Sequence, residues 1–101
     1  MTAWTLVLSP AAHDDLRQIH RYGIRNWGAS RSIDYLEHLK QRLWQLTDHP
    51  EMGMPRDELL PAMRSLAVDS HMVFYRLQQP QVQILRILHA RQDPDLHIES
   101  W

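Results

Sequence analysis

The residues best suited to chemistry fall into three groups. In the first, His13, Arg17, Arg21 and Arg25 recur every four residues, which sets them on one ridge of a helix. Such a ridge can grip an acidic peptide or a phosphate. It reads equally as a solvated face, paired in part with Asp14, Asp34 or Glu37. In the second group, Arg64, Arg76 and Arg86 stand among apolar neighbours in strand-like segments. Alternation puts Arg64 with Leu66 and Val68, and Arg76 with Met72 and Phe74. The functional expectation is an arginine-lined cleft on the sheet face that helices leave open. The plainer one is outward arginines whose stems cover apolar surface. The third group is the segment from His89 to His97, which holds both histidines, Arg91, Asp93 and Asp95. Its spacing matches no metal-ligand pattern, and Pro94 prevents a regular helix from aligning positions 89, 93 and 97. A polar network is expected instead, with His89 on a carboxylate and Arg91 paired with Asp93 or Asp95.

Other chemistry finds little support. There is no cysteine, hence no thiol nucleophile, no disulfide and no cysteine-held zinc. The three glycines are scattered singly, so neither a phosphate-cradling loop nor a dinucleotide fingerprint is present. Ser65 and Ser70 lie outside any nucleophile elbow. No cofactor and no metal are expected.

These groups need elements to position them. Ala3 to Leu8 alternates Trp4, Leu6 and Leu8 against Ala3, Thr5 and Val7, and predicts a short strand. Ser9-Pro10 suits a helix start, with serine as cap and proline in the first turn. Ala12, Leu16, Ile19, Gly23 and Trp27 then step as a helical stripe, and Gly23 would admit a close neighbour. Gly28 breaks the run. Ile33, Leu36, Leu39, Leu43 and Leu46 form a second stripe, ending near His49-Pro50. A connection this short predicts an antiparallel helical hairpin. Residues 51–61, with Gly53, Pro55 and Pro61, read as a loop. Three strands follow, at Met63–Val68, His71–Leu77 and Val82–His89, with Asp69-Ser70 and Gln79-Pro80 as turns. In the last, alternation groups Val82, Ile84 and Leu88 on one face and Leu85 and Ile87 on the other. The tail from Ala90 to Trp101 is expected to be irregular or briefly ordered.

The whole is a single α+β domain over residues 1–101: an N-terminal strand, an antiparallel helical hairpin and a three-stranded antiparallel meander. Both helices pack on one side of the sheet. The core is expected from Leu16, Ile19, Leu36, Leu39, Leu43, Leu66, Phe74 and Leu85.

Composition narrows the partners. With 11 basic and 12 acidic side chains the net charge is -1 and the pI about 6.6. A compact nucleic-acid binder carries a basic excess that this chain lacks, so direct nucleic-acid binding is not expected. No apolar run reaches the roughly 20 residues of a membrane span. The start, from Met1 to Ser9, has no basic leader, and the absence of cysteine fits a reducing, cytoplasmic setting.

Several stretches, taken in order, resemble the ParE-type toxins of the RelE/ParE superfamily. They are Leu8-Ser9-Pro10-Ala11-Ala12 with Asp15, Leu16, Ile19 and Tyr22, then Trp27-Gly28, then the loop Gly53 to Pro61 before Met63-Arg64. His71-Met72-Val73-Phe74-Tyr75-Arg76 and Ile87 to Asp93 with His97 complete the set. The resemblance runs from about Leu8 to His97. It implies the toxin of a type II toxin–antitoxin pair, a ParD-like antitoxin as partner and DNA gyrase as target, inhibition of which blocks replication. In this frame Arg17, Arg21, Arg25, Arg64 and Arg76 are the antitoxin-binding candidates, and His89, Arg91, Asp93 and His97 the target-binding candidates. The superfamily also contains ribosome-dependent mRNA endonucleases, for which Arg64, Arg76, His89 and Arg91 would be the cleavage set. Against that alternative stand the low pI and the lack of a late tyrosine, the last being Tyr75. A member that binds antitoxin without harming the host is the third reading.

Overall fold

The computed structural model describes residues 3–100, with side chains from 3 to 97. β1 spans Thr5–Leu8, α1 Pro10–Trp27 and α2 Ala29–Asp48. β2 is the pair Met54–Pro55, and β3 (Met63–Val68), β4 (His71–Gln78) and β5 (Gln81–His89) complete the sheet. A 3-10 helix, Pro94–Ser100, closes the described chain, and the tail's Trp101 lies outside the described residues.

Local chemistry sets the boundaries. Ser9 caps α1 as expected: its Oγ accepts from the Ala12 N–H at 3.0 Å, with Pro10 in the first turn. Only Gly28 separates the two helices. Its φ of 87° lies in the region that costs an L side chain most, and its N–H closes α1 on the Ile24 carbonyl. The hairpin then packs tightly because Gly23 has no Cβ. One built there would stand 2.5 Å from Ser32 Oγ, which instead hydrogen-bonds to the His20 ring (2.8 Å) and the His20 carbonyl (3.1 Å). At the other hairpin, between β3 and β4, Asp69 takes φ 51°, a conformation Asp tolerates better than most.

The sheet order is β1-β5-β4-β3-β2. The meander β3-β4-β5 is antiparallel, but β1 runs parallel to β5, with Thr5 opposite Gln81 and Leu8 opposite Ile84. The sheet is therefore mixed, and β2, within the stretch read as a loop, adds a fifth strand against β3. A chain whose first strand is followed by two helices and returns at the last strand can place the first beside the last in parallel only through such a long crossover.

One correction concerns the faces of β5. The register shifts between Phe74, opposite Arg86, and Tyr75, opposite Ile84, so Leu85 is an extra residue in the ladder. This bulge inverts the parity of everything beyond it. Ile87 joins Val82 and Ile84 on the helix side, and Leu88 turns to the other face with Leu85. The helix-side core joins Leu39, Leu43 and Leu46 of α2 to Leu66, Val73 and Tyr75. On the far face Leu59, Met63, Phe74 and Leu88 make a second cluster, partly roofed by the loop after β2. Of the expected core, Leu39, Leu43, Leu66 and Phe74 are buried, whereas Leu16, Ile19, Leu36 and Leu85 are half-buried. Ile33 and Trp27, assigned to the buried stripes, are exposed. Among the described residues no helix is long and apolar enough to cross a membrane.

Candidate functional site

The bulge creates the first polar feature. A bulged residue leaves backbone groups without ladder partners, and α1 and its cap residue supply them. Ser9 Oγ donates to the Leu85 carbonyl at 2.7 Å, and Asp15 Oδ2 accepts the Ile87 N–H at 2.8 Å. The same carboxylate takes two hydrogen bonds from Arg86, from Nε at 2.8 Å and from Nη2 at 2.9 Å. Arg86 is thus committed to α1 and does not join Arg64 and Arg76 in an open-face cleft. The carboxylate in turn raises the guanidinium's already high pKa.

Beside this pair lies a cavity of about 750 Å³, the first of two clefts that α1 separates. Its α1 wall carries Gln18, Ile19 and Tyr22, with Trp27 at the hairpin tip. Its sheet wall carries His71, Ile87 and His89, and Gln92 and His97 form the rim. Rings follow one another around it. Tyr22 and Trp27 meet edge to face at 5.7 Å, Trp27 lies 6.0 Å from Tyr35, Tyr35 5.5 Å from His71, and His71 5.5 Å from His89. The Tyr35 hydroxyl and His71 Nδ1 are hydrogen-bonded at 2.5 Å. Burial first, and the neighbouring His89 second, push the His71 imidazole below its ordinary pKa, with Asp15 and Asp69 pulling the other way.

On the opposite side of α1 is a groove of about 440 Å³ between the hairpin and β1. Leu6, Leu8, Leu16, Leu36 and Leu43 make its floor and walls, and Trp44, 59% exposed, stands at its edge. His13, Arg17, His20 and Lys40 also line it, and no carboxylate does among the described residues.

The residues singled out in the sequence distribute unevenly over these features. The helical ridge is real, but it divides. His13 and Arg17 reach the groove, where Arg17 also pairs with exposed Asp14 at 3.2 Å, while Arg21 and Arg25 are exposed beyond it. Arg64 is a brace: its Nη1 donates to the carbonyls of Gly53 (2.8 Å) and Glu51 (3.3 Å). Arg76 is exposed on β4 opposite Gln83 and Met63. His89 sits at the far end of the same sheet, opposite His71. Five residue steps along β4 lie between Arg76 and the His71 that faces His89, about 17 Å at roughly 3.4 Å per residue. Arg64, Arg76, His89 and Arg91 therefore do not converge on one scissile bond. The polar network of the tail is local. His89 Nδ1 accepts the Arg91 N–H at 3.1 Å, Gln92 Oε1 accepts the His89 N–H at 2.8 Å, and Asp93 Oδ1 accepts the Asp95 N–H at 3.0 Å. Among the described residues no cluster of three or more His, Asp or Glu side chains is placed to hold a metal ion.

Sequence reasoning missed Asp15, Tyr35, His71 and Trp44. Asp15 stood in the sequence as one residue of the ParE-like opening, and its role depends on a bulge that periodicity does not reveal. Tyr35 and His71 are 36 positions apart and meet only through the packing of α2 on β4.

Residues 6–94 match the model of the ParE toxin of type II toxin–antitoxin systems, parDE. The chain belongs to the ParE toxin family. Toxin ParE1 of Caulobacter vibrioides is 35% identical over 91 residues, covering 90% of this chain and 94% of that one. Toxin ParE1 of Mycobacterium tuberculosis is 32% identical over 93 residues, covering 91% and 95%. Toxin ParE of Escherichia coli is 36% identical over 95 residues, covering 92% and 89%. Among solved structures, the chromosomal ParDE system of P. aeruginosa superposes with a TM-score of 0.78 at 20% identity, over 88% of this chain and 98% of that one. The RelBE2 toxin–antitoxin complex of Mycobacterium tuberculosis gives 0.66 at 20% identity, over 86% and 98%. The likeness is one of fold, which in this chain is two helices on a five-stranded mixed sheet.

Proposed function

We propose that this ParE-family toxin acts in the cytoplasm on DNA gyrase and is neutralised by a ParD-like antitoxin. The observation that carries the choice of target is the dispersal of the cleavage set. Phosphodiester cleavage needs cations and an acid or base gathered around one phosphate. Here Arg64 is spent on loop carbonyls, and Arg76 stands about 17 Å from the His89 end of the sheet. The net charge of -1 gives no field for docking on ribosomal RNA. A toxin of this chemistry works by binding a protein, and the segment from His89 to His97 is its contact: polar, largely exposed and, beyond the His89 that ends β5, outside the ladder.

The antitoxin reading rests on the groove. An apolar trough rimmed by His13, Arg17 and Lys40 fits an amphipathic segment whose flanks carry Asp or Glu. Such a segment, disordered when free, orders on the toxin and gains apolar burial and charge-assisted bonds together. Arg17 keeps its place as an antitoxin contact in this account, joined by Lys40 and Trp44, while Arg64 and Arg76 have no part in it. Co-purification with the product of the adjoining gene tests this directly. An adjoining product that does not bind at micromolar concentration would overturn it.

A further inference from the structure

We infer that the cavity between α1 and the ends of β4 and β5 is a binding site for an uncharged planar aromatic group. Four observations converge. Its volume, about 750 Å³, is that of a small-molecule site. Its aromatic wall is already arranged for another ring, because Tyr22 is 61% and Trp27 41% exposed and the two meet edge to face. An incoming ring would extend this series by the same offset or edge-on contacts. Among the described residues Asp15 is the one carboxylate that lines the cavity, and it is neutralised by the two Arg86 bonds and the Ile87 N–H. The Arg86 guanidinium is likewise committed and gives an anion no primary partner, while buried His71 is hydrogen-bonded to Tyr35.

The floor and rim define the ligand further. Ile19 and Ile87 give an apolar seat, and Gln18, Gln92 and His97 edge the opening. A flat ring with one hydrogen-bonding edge satisfies both, as an indole or a phenol does. A benzoate would find the Arg86 guanidinium already bonded to Asp15. A phenylalkylammonium would find the Asp15 carboxylate already bonded to Arg86 and to the Ile87 N–H. The same chemistry is supplied by a free aromatic metabolite or by a tryptophan or tyrosine side chain of a bound protein.

The experiment titrates indole into the ¹⁵N-labelled full-length protein, with benzoate and phenethylammonium as comparisons. Saturable shifts at Tyr22, the Trp27 indole N–H, Ile87 and His89 are expected for indole, with the two ions weaker. Tyr22→Ala, an exposed position that leaves the fold intact, should weaken indole binding about tenfold, and Met54→Ala on distant β2 should leave it unchanged. Saturating indole in a gyrase supercoiling assay separates the sources. Relief of inhibition identifies an aromatic side chain of the gyrase as the occupant; with inhibition unchanged, displacement of bound antitoxin by indole identifies a side chain of the antitoxin, and an undisturbed antitoxin complex a free small molecule. Absence of saturable shifts at these residues, or equal binding of all three probes, would overturn the proposal whatever the toxin's target.

Discussion

Asp15 on α1 and Arg86 on β5 are joined by two parallel hydrogen bonds of 2.8 and 2.9 Å, at a point where both side chains are nearly out of solvent. The carboxylate also receives the Ile87 N–H, so one side chain fastens the first helix to the sheet and repairs the ladder next to the bulge. Removing one partner of a buried pair leaves the other charge uncompensated. Asp15→Ala should therefore cost about 3 to 5 kcal/mol in a denaturant melt. Asp15→Asn, which keeps an acceptor, should cost less. A parent-like midpoint for Asp15→Ala would show that the pair does not carry the α1–β5 contact.

Tyr75 does a similar service on the far side of the core. Its ring is buried, and its hydroxyl donates to the Pro50 carbonyl and accepts the Gly53 N–H, each at 2.8 Å. Burial pushes its pKa up, so it stays a donor at all working pH values. Tyr75→Phe keeps the packing and orphans both backbone groups, at a cost of about 1 to 3 kcal/mol. Amide exchange should accelerate first at Gly53, and an unchanged rate there would contradict this role.

Stability should fall on mild acidification through His71. Its folded pKa lies below the ordinary 6.5, so between those two values the unfolded chain binds the proton that the folded chain refuses. Stability then rises with pH across that window and is lost as pH falls below about 6.5. His71→Phe should flatten this part of the melting temperature against pH, even though it also loses the bond to Tyr35. A variant as acid-sensitive as the parent would place the effect elsewhere.

Trp44 tests the groove. It is exposed and outside the buried core, so Trp44→Ala should leave the melting temperature nearly unchanged. An aromatic at the edge of a binding trough is a typical anchor, and its loss should cost the antitoxin complex about 2 kcal/mol or more. Calorimetry with the antitoxin measures it, and unaltered affinity would move the antitoxin off this groove.

The periodic parts of the molecule were legible before any coordinates. The stripe of Leu39, Leu43 and Leu46 found α2, and Ser9-Pro10 and Gly28 marked the helix ends. β3, β4 and β5 fell within a residue or two of their observed bounds. The face of Ile87 was misread because a single extra residue, Leu85, inverts alternation without leaving a glycine or proline to announce it. β1 was recognised as a strand, but its partner is decided by a crossover that local pattern does not encode. The site was less legible still. Arg86 looked like one of three sheet arginines until Asp15, 71 positions away, claimed it. His71 opens the ParE-like strand in sequence without any sign of its partners, and only Tyr35 and His89, brought in by two other elements, make it the centre of a ring cluster.

The account's central claim is that this toxin stops replication by engaging gyrase through the segment that follows β5. The most direct measurement is supercoiling of relaxed plasmid by purified gyrase in the presence of the purified toxin, run beside ribosome-dependent cleavage of a messenger RNA. The account predicts loss of supercoiling or accumulation of cleaved DNA, weakened by Arg91→Ala and reversed by the antitoxin, with the messenger left intact. Unimpaired supercoiling together with messenger cleavage abolished by His89→Ala would contradict it and make the protein an endonuclease.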